Sequence, residues 1–158
     1  MYDNTLILKD AGLVAASAAG TVSSVAKVAQ LGEGRVDARL VLDVSAIEIA
    51  SNDELYAVAI QGSTSSTFAS GIEELAVVNL GAAEVVGGDI DSAAGRFEVP
   101  FSTEKAGVIY PYVRIYTTVS GTIAPGSTLR PGSNHNVNMP PGHPPFTRKV
   151  FMRLLVRP

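Results

Sequence analysis

Four stretches of this chain alternate apolar and polar residues with a period of two, and that alternation is the strongest constraint on its fold. In Val36–Ser45, Val36, Ala38, Leu40, Leu42 and Val44 fall on one side. Asp37, Arg39, Asp43 and Ser45 fall on the other, with Val41 the exception. Tyr56–Gly62 sets Tyr56, Val58 and Ile60 against Ala57, Ala59 and Gln61. Arg96–Phe101 sets Phe97, Val99 and Phe101 against Arg96 and Glu98. Tyr112–Ser120 sets Val113, Ile115, Thr117 and Val119 against Tyr112, Arg114, Tyr116 and Thr118. Successive side chains of a strand point to opposite faces, so each stretch reads as a strand with one buried face. The β-branched and aromatic content of the last one strengthens the assignment.

Shorter strand candidates are Leu6–Leu8, Val25–Leu31, Leu75–Leu80 and Val150–Val156. Turn signals separate them at Gly32-Glu33-Gly34, Ser51-Asn52-Asp53, Gly87-Gly88-Asp89, Ala94-Gly95 and Ser120-Gly121. A first-turn pattern at Ser70, Glu73 and Glu74 predicts a short helix over Phe68–Leu75. Ala11–Ala29 is rich in alanine but broken by Gly20, Thr21 and valines, and reads as loop and strand. The pattern predicts an all-β protein: an antiparallel sandwich or jelly roll of about eight strands. A chain of 158 residues is expected to form one domain, 1–158. Arm-like segments are expected at about 1–12 and 124–147. Six of the nine prolines lie between Ala124 and Pro145. Proline removes a backbone donor, so this run cannot be a central strand.

Charge divides the chain. All fifteen acids lie between Asp3 and Glu104, with only five bases among them, a net −10; the remainder holds seven bases and no acid, +7. Such asymmetry predicts pairing with a partner or a second copy, unless the fold interleaves the two segments. There is no cysteine, which removes disulfides and thiolate metal sites. The early acids of Met1–Asp10 do not resemble a signal peptide, and the weakly polar stretch Ala11–Ala29 is too interrupted to span a membrane.

No catalytic constellation is legible. The two histidines, His135 and His143, both lie in the proline-rich run with no acid beside them, so neither a metal site nor a catalytic residue is expected. Asp89 and Asp91 lack the further oxygen ligands of a Ca²⁺ loop and read as a turn. Gly32 and Gly34 precede a strand rather than a helix, which fails the context of a nucleotide fingerprint. Binding rather than catalysis is expected, with no cofactor. Tyr112, Arg114 and Tyr116 share one strand face, where ring stacking and a cation suit an interface or a sugar. Arg130, Arg148, Lys149, Arg153 and Arg157 are the other candidate contact residues. A sequence pI of about 5.3 argues against a dedicated nucleic-acid binder.

The order of motifs is familiar. A strand ends in Gln30-Leu31-Gly32-Glu33-Gly34. There follow Arg39-Leu40-Val41-Leu42-Asp43-Val44, Tyr56-Ala57-Val58-Ala59-Ile60-Gln61-Gly62-Ser63 with Phe68 shortly after, and Tyr112-Val113-Arg114-Ile115-Tyr116 leading to Val119-Ser120-Gly121-Thr122. Over roughly Leu6 to Thr122 this resembles the jelly-roll capsid cement, or decoration, proteins of tailed bacteriophages. The proline-rich run and the basic final strand depart from that pattern. The resemblance implies a structural virion protein without enzymatic activity. It would be made in the host cytoplasm and bound to the outer capsid surface as a homo-oligomer, a dimer or trimer at symmetry axes. There it would bridge subunits of the major capsid protein, contacting neither membrane nor nucleic acid. The alternative is a carbohydrate- or receptor-binding sandwich using Tyr112, Arg114 and Tyr116.

Overall fold

A computed structural model describes residues 6–123 and the backbone of residues 154–157. The protein is all-β, with antiparallel sheets packed face to face as a sandwich. In chain order the strands are β1 (Ala18–Ala19), β2 (Thr21–Val22), β3 (Val25–Ala26), β4 (Ala29–Gln30), β5 (Asp37–Val44), β6 (Leu55–Ser63) and β7 (Ile72–Gly81). After a one-turn helix α1 (Ala83–Val86) come β8 (Gly95–Ser102), β9 (Glu104–Lys105), β10 (Val108–Ile109), β11 (Tyr112–Ser120) and β12 (Leu154–Arg157).

The larger sheet runs β1-β11-β6-β7, with β4 also paired to β11; the smaller runs β12-β5-β8. Two-stranded ribbons, β2-β3 and β9-β10, decorate them. The chain passes between sheets from β5 to β6, β7 to β8, β8 to β11 and β11 to β12, so the long-range ladders tie the layers together.

The alternating positions lie where their period puts them. Leu40 and Leu42 of β5, Val58 and Ile60 of β6, and Val113 and Ile115 of β11 are fully buried in one apolar cluster. Leu80 and Phe101 complete its flank. Val41, the exception in its strand, points away from that cluster and is still only 4% exposed. Leu8 and Val14 also join the core although residues 7–15 form no strand. The expected strand at Leu6–Leu8 is therefore absent, and Leu8 is held by packing without a ladder. Gly20 lets the chain pass close to Leu8: a side chain there would strike the Leu8 carbonyl and Lys9 Cβ.

The expected helix over Phe68–Leu75 does not form. Phe68 (φ 54°) and Gly71 (φ 61°) take left-handed conformations that interrupt any helix, and Ile72–Leu75 belong to β7. A bulge between Ile60 and Gln61 lets Leu75 and Ala76 both pack towards the core. The predicted strand Val25–Leu31 is split into β3 and β4, because Lys27 turns back to donate its N–H to Gly20 O at 3.0 Å. The helix that does form, α1, ends on Gly87 in the left-handed region (φ 77°). Asp91 Oδ1 accepts the Ala83 N–H at its start, at 2.9 Å.

One end of the sandwich is closed by two acids. Glu54, fully buried, accepts the Ser51 N–H at 2.7 Å and the Asp53 N–H at 3.1 Å. Asp53 accepts the Thr122 N–H and the Thr122 hydroxyl, each at 2.8 Å. Leu40→Ala should cost about 2–5 kcal/mol in urea unfolding; a loss under about 1 kcal/mol would show the cluster to be loosely packed. The Thr122 N–H and hydroxyl hold the Asp53 carboxyl below its usual range. A lowered folded-state pKa gives stability that is present above the unfolded value, about 3.9, and lost as pH falls through the lowered one. Asp53→Asn should therefore flatten the acid limb of a Tm-against-pH curve; an unchanged limb would exclude this contact as its source.

Candidate functional site

Directly opposite residues of antiparallel strands share a face. The register therefore builds the outer face of the larger sheet in rows across β11, β6 and β7. Tyr112, Ser63 and Ile72 form one row; Arg114, Gln61 and Glu74 the next; then Tyr116, Ala59 and Val77. Gln30 of β4 flanks Tyr112, and Ala19 of β1 flanks Tyr116. Tyr112, Arg114 and Tyr116, grouped by their spacing in sequence, do stand together, and each is half-buried. Ile72 and Val77 add apolar surface, 42% and 40% exposed.

Arg114 is the centre of this face. Its guanidinium carbon lies 4.4 Å from the Phe68 ring centroid and 5.5 Å from that of Tyr116. Its Nε donates to Gln61 Oε1 at 3.0 Å. Among the described residues, the ion pairs do not include Arg114. Its charge is balanced by ring faces and an amide, an arrangement worth about 0.5–2 kcal/mol depending on desolvation.

Phe68 reaches this position because the segment 64–71 folds back over the sheet. Ser63 Oγ, fully buried, donates to Ser70 O at 2.9 Å and accepts the Ser65 N–H at 3.0 Å. Phe68 N–H then closes a turn on Ser65 O at 3.1 Å. The result is a ring only 6% exposed yet outside the main core cluster. The sequence placed Phe68 at the start of an expected helix and both Phe68 and Gln61 in the motifs of the resemblance, but neither on this face. Gln61 carried a signal, a polar residue directly in line with the outward positions of β6. Nothing in the run of Ser, Thr and Gly around Phe68 signals a ring over Arg114.

Apart from this face, a concavity of about 820 Å³ lies where β5 and β8 face Leu75 of β7. Phe101 and Ala38 line it, and Arg39 and Glu98 on its rim approach within 3.7 Å. Among the described residues, no group of three or more His, Cys, Asp or Glu could hold a metal ion. Among the described residues no helix is long and apolar enough to cross a membrane. His135, His143, Arg130, Arg148, Lys149 and Arg153 lie outside the described residues. Of Arg157 the backbone alone is described, in β12 opposite Arg39.

What the outer face can do chemically is stack. It offers two tyrosine rings, a guanidinium held by a ring and an amide, and aliphatic surface on a hydrogen-bonded sheet. A double-mutant cycle between Phe68→Leu and Arg114→Met should return a coupling of about 0.5–1 kcal/mol in unfolding free energy. Strict additivity would mean that the ring and the guanidinium do not hold each other. Neither a protein-family model nor a curated protein matches this chain.

Proposed function

We propose that this chain is a non-catalytic structural protein of a tailed-phage virion. In this reading it binds the outer surface of an icosahedral capsid as a homo-oligomer, a dimer or trimer at symmetry axes, and bridges neighbouring major capsid subunits. The observation that carries the reading is the outer face of the larger sheet, where Tyr112, Arg114 and Tyr116 stand beside Ile72 and Val77 on a fixed scaffold. Aromatic residues and arginine are the side chains that dominate binding energy at protein interfaces. A face whose arginine is already oriented by Phe68 and Gln61 loses little conformational entropy on docking. The likeness of the strand motifs to jelly-roll cement proteins supplies the partner. The charge division supplies a second means of attachment through Arg130, Arg148, Lys149, Arg153 and Arg157. Repeated over many copies, modest contacts across each seam add up to a large gain in shell stability.

A row of tyrosines flanking a cation also suits a sugar ring, which keeps carbohydrate or receptor binding as the second reading. Mixing the purified protein with bare capsid shells separates them. Capsid binding predicts co-sedimentation and knobs at symmetry axes in negative stain, with Tyr116→Ala weakening binding about tenfold or more. Reversing Arg148, Lys149 and Arg153 should lower affinity at low salt and flatten its salt dependence. No binding to shells, together with glycan-array binding lost in Tyr112→Ala, would replace the first reading by the second.

A further inference from the structure

The outer face of the larger sheet carries a cation that the protein itself leaves unanswered. Arg35 pairs with Asp37 and Glu104, Arg39 with Glu98, and Arg96 with Asp43. Among the described residues Arg114 has no carboxylate partner, although the chain holds fifteen acids. Glu74 shares its row with Gln61 between them, but two strands away, about 10 Å across a sheet. The guanidinium is held all the same, by the Phe68 and Tyr116 rings and by the Gln61 amide. Those contacts leave both terminal nitrogens, Nη1 and Nη2, without an acceptor among the described residues.

The polar groups around those nitrogens are donors as well. An arginine can only donate, so Gln61 must present its carbonyl to Nε, and its amide nitrogen is left as a donor. The Tyr112 and Tyr116 hydroxyls, on the same face, have no hydrogen-bond partner among the described residues, and each can donate. A surface that covers Tyr112, Tyr116, Ile72 and Val77 also takes water from Arg114. A cation stripped of water and given no acceptor is strongly destabilising, so the covering surface has to bring one. A single positive charge with Glu74 in its row suits a single negative charge; a phosphate dianion would call for a second cation and would face Glu74. A carboxylate matches in charge and in shape, because its two oxygens fit the fork of a guanidinium. Aromatic rings with aliphatic Ile72 and Val77 around that fork suit a protein surface, since the buried centres of protein interfaces are rich in both.

We propose that Arg114 is a carboxylate-binding site: its terminal nitrogens receive an aspartate or glutamate side chain of the protein partner, between Tyr112 and Tyr116. This rests on the outer face being the docking surface of the proposed function, and its test needs no capsid. N-acetyl-aspartate amide is titrated into the isotope-labelled protein at constant ionic strength, with the asparagine counterpart as the uncharged control, and the arginine Nε–H resonances are followed. The Arg114 resonance should shift and saturate with the aspartate probe and stay in place with the asparagine one. Arg35, Arg39 and Arg96, which already meet carboxylates, should move less. Gln61→Glu supplies a carboxylate to Arg114 from within, and should abolish the shift while Tm stays at or above that of the unaltered protein. Arg114→Lys keeps the charge without the fork, and should lose most of the response, read on the Tyr116 ring protons. A shift that fails to saturate, one equal with both probes, or one that survives in Gln61→Glu would overturn the proposal. So would a preference for glucuronate over the aspartate probe, which would give the face to an acidic glycan. Saturable binding by a protein that ignores capsid shells would remove the capsid and keep the site. Shell binding by a protein with no such shift would remove the site and keep the capsid.

Discussion

The structure depends on the apolar contact between the inward row of β5 and the inward rows of β6 and β11. Leu40 and Leu42 on one sheet, and Val58, Ile60, Val113 and Ile115 on the other, are fully buried in a single cluster. Period-two geometry converts that burial into a constraint on everything opposite. A slip of one residue in β11 would turn Val113 and Ile115 outward and bring Tyr112, Arg114 and Tyr116 into the core. The outer face is therefore fixed by the energetics of the inner one, and its rings and guanidinium need little support of their own. The Arg114 contacts with Phe68 and Gln61 refine a placement that the core has already decided.

The chain crosses repeatedly between layers, and the loops at the crossing end must satisfy backbone groups in a small space. Glu54 does this from within. Its carboxylate takes two loop N–H groups while its own carbonyl accepts the Ala82 N–H at 3.0 Å. One buried residue thereby joins the β5–β6 connection to the β7–α1 junction. Gly81 is required beside it: its φ of 150° lies in the region open to glycine, and a side chain would collide with the Glu54 carbonyl. Asp53 extends the same network to Thr122, so the end of β11 is tied down before the chain departs.

The long strands were legible because burial of one face imposes a pattern that no local competition erases. Val36–Ser45, Tyr56–Gly62, Arg96–Phe101 and Tyr112–Ser120 match β5, β6, β8 and β11 to within a residue or so at each end. Short elements follow different physics. The acids at Glu73 and Glu74 looked like a helix start, but in the structure Glu73 pairs with Lys105 on an edge strand. Helix α1 has no side-chain cap of its own, and its start is served by Asp91 from eight residues further on, a contact that no local pattern announces. Of the site, Tyr112, Arg114 and Tyr116 were visible as one face. Phe68 was not, because its position rests on a left-handed residue and a serine bridge, neither of which has a period to read.

The two faces of the protein's interaction problem come from one source. A sandwich has open edges, and each edge displays unpaired backbone groups that will recruit any strand within reach. Here the β7 and β8 edges are blunted by Lys105 and Pro100, while the β5 edge is filled from a distant part of the chain. The remaining edge of the larger sheet carries only the two-residue strands β1 and β4, and strands that short offer little for another strand to pair with. The filling of the β5 edge leaves the tyrosine–arginine face uncovered, because β5 belongs to the other sheet. Backbone pairing at the strand edges and side-chain contact on the outer face are thus separate surfaces of the fold.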